Sequence, residues 1–236
     1  MMGEPVSIGE AFVALGNSGQ IVLTVPALFL VLMSDFPQRG GIDFFYQIRC
    51  SRKVWICGQV LFALEAVLFL TAFLFCSSAL MILPCGKWSL DFSHAVTYFA
   101  AVFPERSQSY LTMILPENVY HHMSLGTAMT HTALLMALYY LFLSFILLLS
   151  ALCNQKYAGI LTDVFLVVLG AITCAGDMDL MWLFPMAHTI PWLHYEPYLS
   201  KEIFPLTGSY LYLLGGCVIL FICCMAFSKK YQAGKG

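Results

Sequence analysis

The chain has 236 residues, 60% of them hydrophobic and only 10% charged, with a formal net charge of −2 and a mean hydropathy of +0.82. Such a composition excludes a water-soluble globule, and it places the chain among polytopic membrane proteins. Nearly all the charge lies in short segments between five long apolar runs, each of about the 20 residues that one helical crossing of a ~30 Å hydrocarbon core requires.

The first predicted span runs from Val13 to Met33, and residues 1 to 18 before and within it contain no Lys or Arg. The connection 35–53 follows. After Pro37 and the Gly40-Gly41 pair, Ile42 to Lys53 reads as a short surface helix with Phe44, Phe45 and Ile48 on one side and Asp43 and Gln47 on another. Two readings of its Phe44, Phe45, Tyr46, Arg49 and Arg52 stand side by side: basic and aromatic residues that only anchor the topology, or a docking element for a cytoplasmic partner.

The second span, Val54 to Leu83, carries Glu65. A segment 84–122 then leads to the third span, Leu125 to Cys153, which holds His131, and the fourth, Tyr157 to Ala175, holds Asp163. An ionisable residue at the bilayer centre costs about 2.5–3.5 kcal/mol on insertion scales, so each of the three calls for a reason. One reason is a proton relay or polar substrate path through Glu65, His131 and Asp163; the other is pairing of each with a Ser, Thr or Tyr on a neighbouring helix, or snorkelling to an interface. The segment 176–207 is apolar over Met181 to Tyr195 but broken by Pro185 and Pro191. It reads either as a re-entrant hairpin or as an interfacial loop, with Trp182, Trp192, Tyr195 and Tyr198 suited to an outer aromatic belt. Gly208 to Phe227 is the fifth span.

Backbone groups in lipid must be satisfied within their own segment, and these runs are too long and unbroken for barrel strands. The fold class expected is therefore all-α, a single membrane helix bundle over residues 1–236. Eight of the eleven Lys and Arg residues fall in the first connection, in the 154–156 turn and in the tail. By the positive-inside rule these segments are cytoplasmic, so 84–122 and 176–207 face outward, the C-terminus is inside and, with five spans, the N-terminus is outside. A start so poor in charge gives insertion little to hold, so either the N-terminus is translocated unaided or, the favoured expectation, one earlier span is missing from this chain.

Chemistry of other kinds finds no motif. The cysteines contain no CxxC, and most sit in apolar spans as small hydrophobes, with Cys85 and Cys174 the two within reach of the outer surface. His121 and His122 are adjacent, and His188 and His194 flank a proline; all four read as interfacial or loop residues rather than metal ligands. There is no GxSxG, HExxH or GxxxxGK[ST], so no metal, cofactor or nucleotide site is expected on this chain, and no nucleic-acid partner.

The runs LFLVLMSDFPQRGGIDFFYQIRCSRKVWICGQVLF, LPENVYHHMSLGTAMTHTALLMALYYLFLSFILLLSALCNQKYAGIL, WLFPMAHTIPWLHY and SYLYLLGG resemble those of bacterial permease subunits of ABC transporters, type-2 exporter class. The resemblance covers nearly the whole chain in order and spacing, without a catalytic signature. It implies a six-helix permease of the bacterial cytoplasmic membrane, here lacking the family's first helix. It also implies two partners, a cytoplasmic ATP-binding subunit that docks on a coupling segment at Ile42 to Lys53 and a second permease subunit. On this resemblance the chain is a transport subunit and not itself an enzyme.

Overall fold

A computed structural model describes residues 5–18, 21–37, 49–98, 115–196 and 201–227. The described chain is almost entirely helical: α1 Ile8–Asn17, α2 Ile21–Leu32, α3 Arg52–Ile82, α4 His94–Thr97, α5 Glu117–His122, α6 Leu125–Leu152, α7 Lys156–Ala175 and α8 Leu206–Phe227. Three short 3₁₀ turns, Asp179–Leu183, Ala187–Thr189 and Pro191–His194, stand between α7 and α8. The one sheet among the described residues is a two-residue parallel pair, β1 Val6–Ser7 with β2 Gly86–Lys87.

Four helices, α3, α6, α7 and α8, are long and apolar enough to cross a membrane. Their starts are set by local chemistry. Ser51 and Ser124 cap α3 and α6 by accepting hydrogen bonds from the amides of Val54 and Thr127, each at 3.4 Å, which satisfies one of the orphan donors of a helix N-terminus. Between α6 and α7 the chain reverses within three residues, and Asn154 takes the left-handed conformation there (φ 59°), which asparagine tolerates better than most side chains.

The first apolar run departs from the expected single span. It forms two helices, α1 and α2, bent by 81°, and the first begins at Ile8, five residues before Val13. Asn17 explains the end of α1: its side-chain amide donates to the carbonyl of Val13 at 2.8 Å, capping the helix instead of extending it. Alone, the 12-residue α2 is about 18 Å long, too short for the hydrocarbon core, so a crossing here needs both helices. Pro26 is accommodated inside α2.

α6 is the central helix, packed against α8, α7, α1 and α3. Within its most apolar window 56% of residues are buried, against 17% in α3 and in α8. Small residues set the closeness of its neighbours. Gly9 and Gly16 of α1 lie directly on Met129 and Thr132, Gly159 of α7 lies on Ser150, and Gly216 of α8 lies on Phe142. The core continues through Phe29 of α2, stacked on Tyr140 with ring centres 4.8 Å apart.

The two ends of the bundle differ. At one end Asp35, just past α2, pairs with Lys156 at the start of α7 (3.4 Å). At the other lie the sheet, α4, α5 and the 3₁₀ turns. Glu10 of α1 is buried there and accepts from the backbone N–H of Ser7 and from both the N–H and the hydroxyl of Ser93. Asn17 holds the opposite end of α1 to the same layer, because Trp192 donates its indole N–H to the Asn17 carbonyl (2.9 Å) and its backbone N–H to the Asn17 side chain (3.3 Å).

The stretch Met181 to Tyr195 is not a surface loop. Met181, Met186, Ala187, Ile190 and Leu193 are part of the main core, and Met186 lies against Gly170 of α7. Non-helical backbone covered by protein in this way meets the condition for entering a membrane. Trp182 and Trp192 turn inward, to Phe204 and to Asn17, rather than forming an outward belt; Tyr198 lies outside the described residues.

Candidate functional site

Polar atoms buried without partners are rare in folded proteins, so they locate chemistry that packing leaves unexplained. Among the described residues three buried side-chain atoms have no hydrogen-bond partner: the hydroxyl of Tyr139 and both carboxylate oxygens of Asp163. They belong together. Asp163, on α7, is fully buried, and it lies within electrostatic reach of Tyr139 on α6, as do Tyr140 and Cys174.

Tyr139 and Tyr140 also wall a crevice of about 20 Å³ where α1 and α2 part, with Leu15, Gly16, Val22 and Val25 opposite. That is the room one water molecule needs. The break in the first span thus brings a seam between helices to Tyr139, whose hydroxyl is one of the three orphan atoms. An isolated buried carboxylate is strongly disfavoured in charged form, so this site calls for a proton, a water or a cationic group.

The other two intramembrane ionisable residues stand apart from this site. His131, on α6, hydrogen-bonds through Nδ1 to the hydroxyl of Tyr210 on α8 at 2.8 Å, a pairing with a tyrosine of a neighbouring helix. Glu65 is exposed on the outer face of α3, among Leu61, Leu64, Leu68 and Phe69, which are also exposed. Glu65, His131 and Asp163 occupy three different helices and share no hydrogen bond among the described residues.

Of the proposed docking residues, Phe44, Phe45 and Tyr46 lie outside the described residues. Arg49 and Arg52 are both exposed, at the end of the bundle that carries Asp35 and Lys156.

Sequence reasoning missed two histidines. His188 and His194, read as loop residues, are buried to 1% and 0% exposure and meet at Ser209 of α8. His188 Nδ1 is 2.8 Å and His194 Nε2 2.7 Å from the Ser209 hydroxyl oxygen. His122 stacks on Tyr195 and His121 is exposed. A signal is present in the sequence: both histidines lie in the apolar, proline-broken stretch for which a re-entrant hairpin is one of the two readings, and there a polar ring needs a partner. All nine cysteines are free thiols, and among the described residues no three His, Cys, Asp or Glu side chains are grouped as metal ligands.

No protein-family model, curated protein or solved structure matches this chain.

Proposed function

We propose that the chain is the membrane-spanning subunit of a transporter, with Asp163 as the group that binds an exchangeable cation, a proton included, beside the break between α1 and α2. The observation that carries this reading is the set of three orphan atoms on Asp163 and Tyr139, of which Tyr139 lines a crevice at a broken helix. Discontinuous membrane helices commonly surround transport sites, because the interrupted backbone and a polar side chain line the same cavity. Ionisable residues inside a membrane bundle likewise mark ion or substrate pathways.

On this reading the driving energy comes from a separate cytoplasmic ATP-binding subunit that docks on residues 35–53, as expected from the resemblance to type-2 ABC permeases, and a second permease subunit completes the pathway. The basic residues support a cytoplasmic position for this segment, and the resemblance implies a bacterial cytoplasmic membrane. Exposure of Arg49 and Arg52 leaves both accessible to an acidic surface on the partner.

Glu65 favours a second reading, a partner-binding membrane protein without transport. A carboxylate facing lipid is costly unless a neighbouring chain covers it. Affinity purification of the tagged chain from mild detergent separates the two. Transport predicts a stoichiometric ATPase that is lost on Arg49→Glu/Arg52→Glu. It further predicts that Asp163→Asn keeps the ATPase bound but uncouples its activity from the permease. Recovery of the folded chain without an ATPase overturns the first reading.

A further inference from the structure

His188, Ser209 and His194 form a line of four polar contacts whose protons can be counted. At one end His188 Nε2 is 2.9 Å from the carbonyl of Trp182. At the other, His194 Nδ1 is 3.0 Å from the carbonyl of Ile190. A carbonyl only accepts, so both outer ring nitrogens carry hydrogen. A neutral imidazole has one N–H, which leaves bare lone pairs on the two inner nitrogens that face Ser209. The serine hydroxyl has one hydrogen to give and two lone pairs facing it. Four contacts need four hydrogens, and the neutral array holds three.

We propose that this buried array is a proton-binding site: one proton taken from solvent completes it, sits on His188 Nδ1 and donates to Ser209, whose hydroxyl then donates to His194 Nε2. No bond other than the N–H forms, and the array gains a single positive charge. The ring that carries it is set by its surroundings. Tyr212 stacks on His188 with centres 4.1 Å apart and planes at 23°, and the face of an aromatic ring favours a cation. His194 instead lies in the field of His131 as well as of His188, which disfavours charge there.

The groups around the array come from each element packed on it. α6 contributes His131; α8 contributes Tyr210, bonded to His131, and Tyr212, which donates to the Leu183 carbonyl at 2.7 Å. The loop before α8 contributes the Glu196–Lys201 pair and Glu202; α7 carries Asp163, which bonds neither ring, and α1 carries Glu10, held by Ser7 and Ser93. α5 reaches the segment through Asn118, which bonds the carbonyls of Tyr195 and Trp192. None of the described carboxylates bonds either ring. Burial therefore opposes the proton, lowering His188 below its usual range and pushing His194 down to about 4. The missing hydrogen bond acts in the other direction, since a bare contact between two buried acceptors is lost unless a proton fills it. The protonated form ties the 3₁₀ turns to the first turns of α8 by a continuous chain of hydrogen bonds. The unprotonated form leaves one link open.

Nitrogen-15 histidine spectra of the full chain in detergent, recorded from pH 8 down to about pH 5, read the charge and tautomer of each ring. One proton is expected to enter the His188–His194 pair within this range, leaving both nitrogens of His188 protonated and His194 neutral. His194→Gln supplies an amide N–H to Ser209 in place of the proton, so the proton affinity of His188 should fall more than tenfold. Ser209→Thr keeps the hydroxyl and should keep the titration. Both rings remaining neutral throughout, or His188 titrating unchanged in His194→Gln with its neighbours' signals intact, would overturn the proposal.

Discussion

Asp163 is fully buried with neither donor nor counter-charge among the described residues, a position that folding alone would fill with an apolar side chain. Asp163→Asn is therefore expected to hold or raise the stability of the purified protein, because it removes a carboxylate whose charged form burial disfavours. The same change should abolish coupling of transport to the ATPase. A thermal melt paired with an ATPase assay checks both, and a strong loss of stability would count against the carboxylate's being unpaired. At Gly16 the constraint is steric. A side chain there meets the methyl of Thr132, itself fully buried, so Gly16→Val should cost about 1–3 kcal/mol through overpacking. Thr132→Ala should return part of that loss. Equal melting curves for Gly16→Val and the parent would show that α1 is not seated on α6.

α1 is an element held by its ends. Glu10 satisfies Ser7 and Ser93 at its start, while Asn17 at its end bonds Val13, Thr132 and both nitrogens of Trp192. Asn17→Leu leaves the backbone N–H of Trp192 without its acceptor and removes the amide donor to Val13 and Thr132, while the indole bond to the residue 17 carbonyl remains; stability should fall by roughly 1–3 kcal/mol. Hydrogen exchange measured in the same sample should rise in α1 and in Pro191–His194 while α6 stays protected. Uniform exchange across the bundle would mean that α1 is not a separately anchored unit. The break itself was only partly legible. Gly16, Asn17, Ser18 and Gly19 form a turn-like cluster inside the first apolar run, but length and hydropathy alone favour one continuous span. What ends α1 is a bond from Asn17 to its own helix and a docking contact 175 residues away, and distant partners leave no local pattern.

For the molecule as a whole, the proposed orientation puts residues 35–53, the 154–156 turn and the tail on the side where eight of the eleven basic residues lie. A fluorescent protein fused after Gly236 should therefore fluoresce in cells, whereas an exported fusion that stays dark would reverse the topology. The helical class and the positions of the four helices long and apolar enough to cross a membrane, α3, α6, α7 and α8, follow from the sequence by itself. The requirement that every backbone group in lipid be satisfied internally makes a run of apolar residues sufficient to specify a helix. Which face of each helix turns inward was not readable, because apolar residues surround these helices on all sides and leave little periodicity to point to a core. Only tertiary structure decided that Asp163 faces Tyr139 while Glu65 faces out, and that His188 and His194 converge on Ser209. Those placements depend on small residues such as Gly9, Gly16, Gly159 and Gly216 letting helices approach, and closeness between distant segments is a property of packing rather than of any one segment.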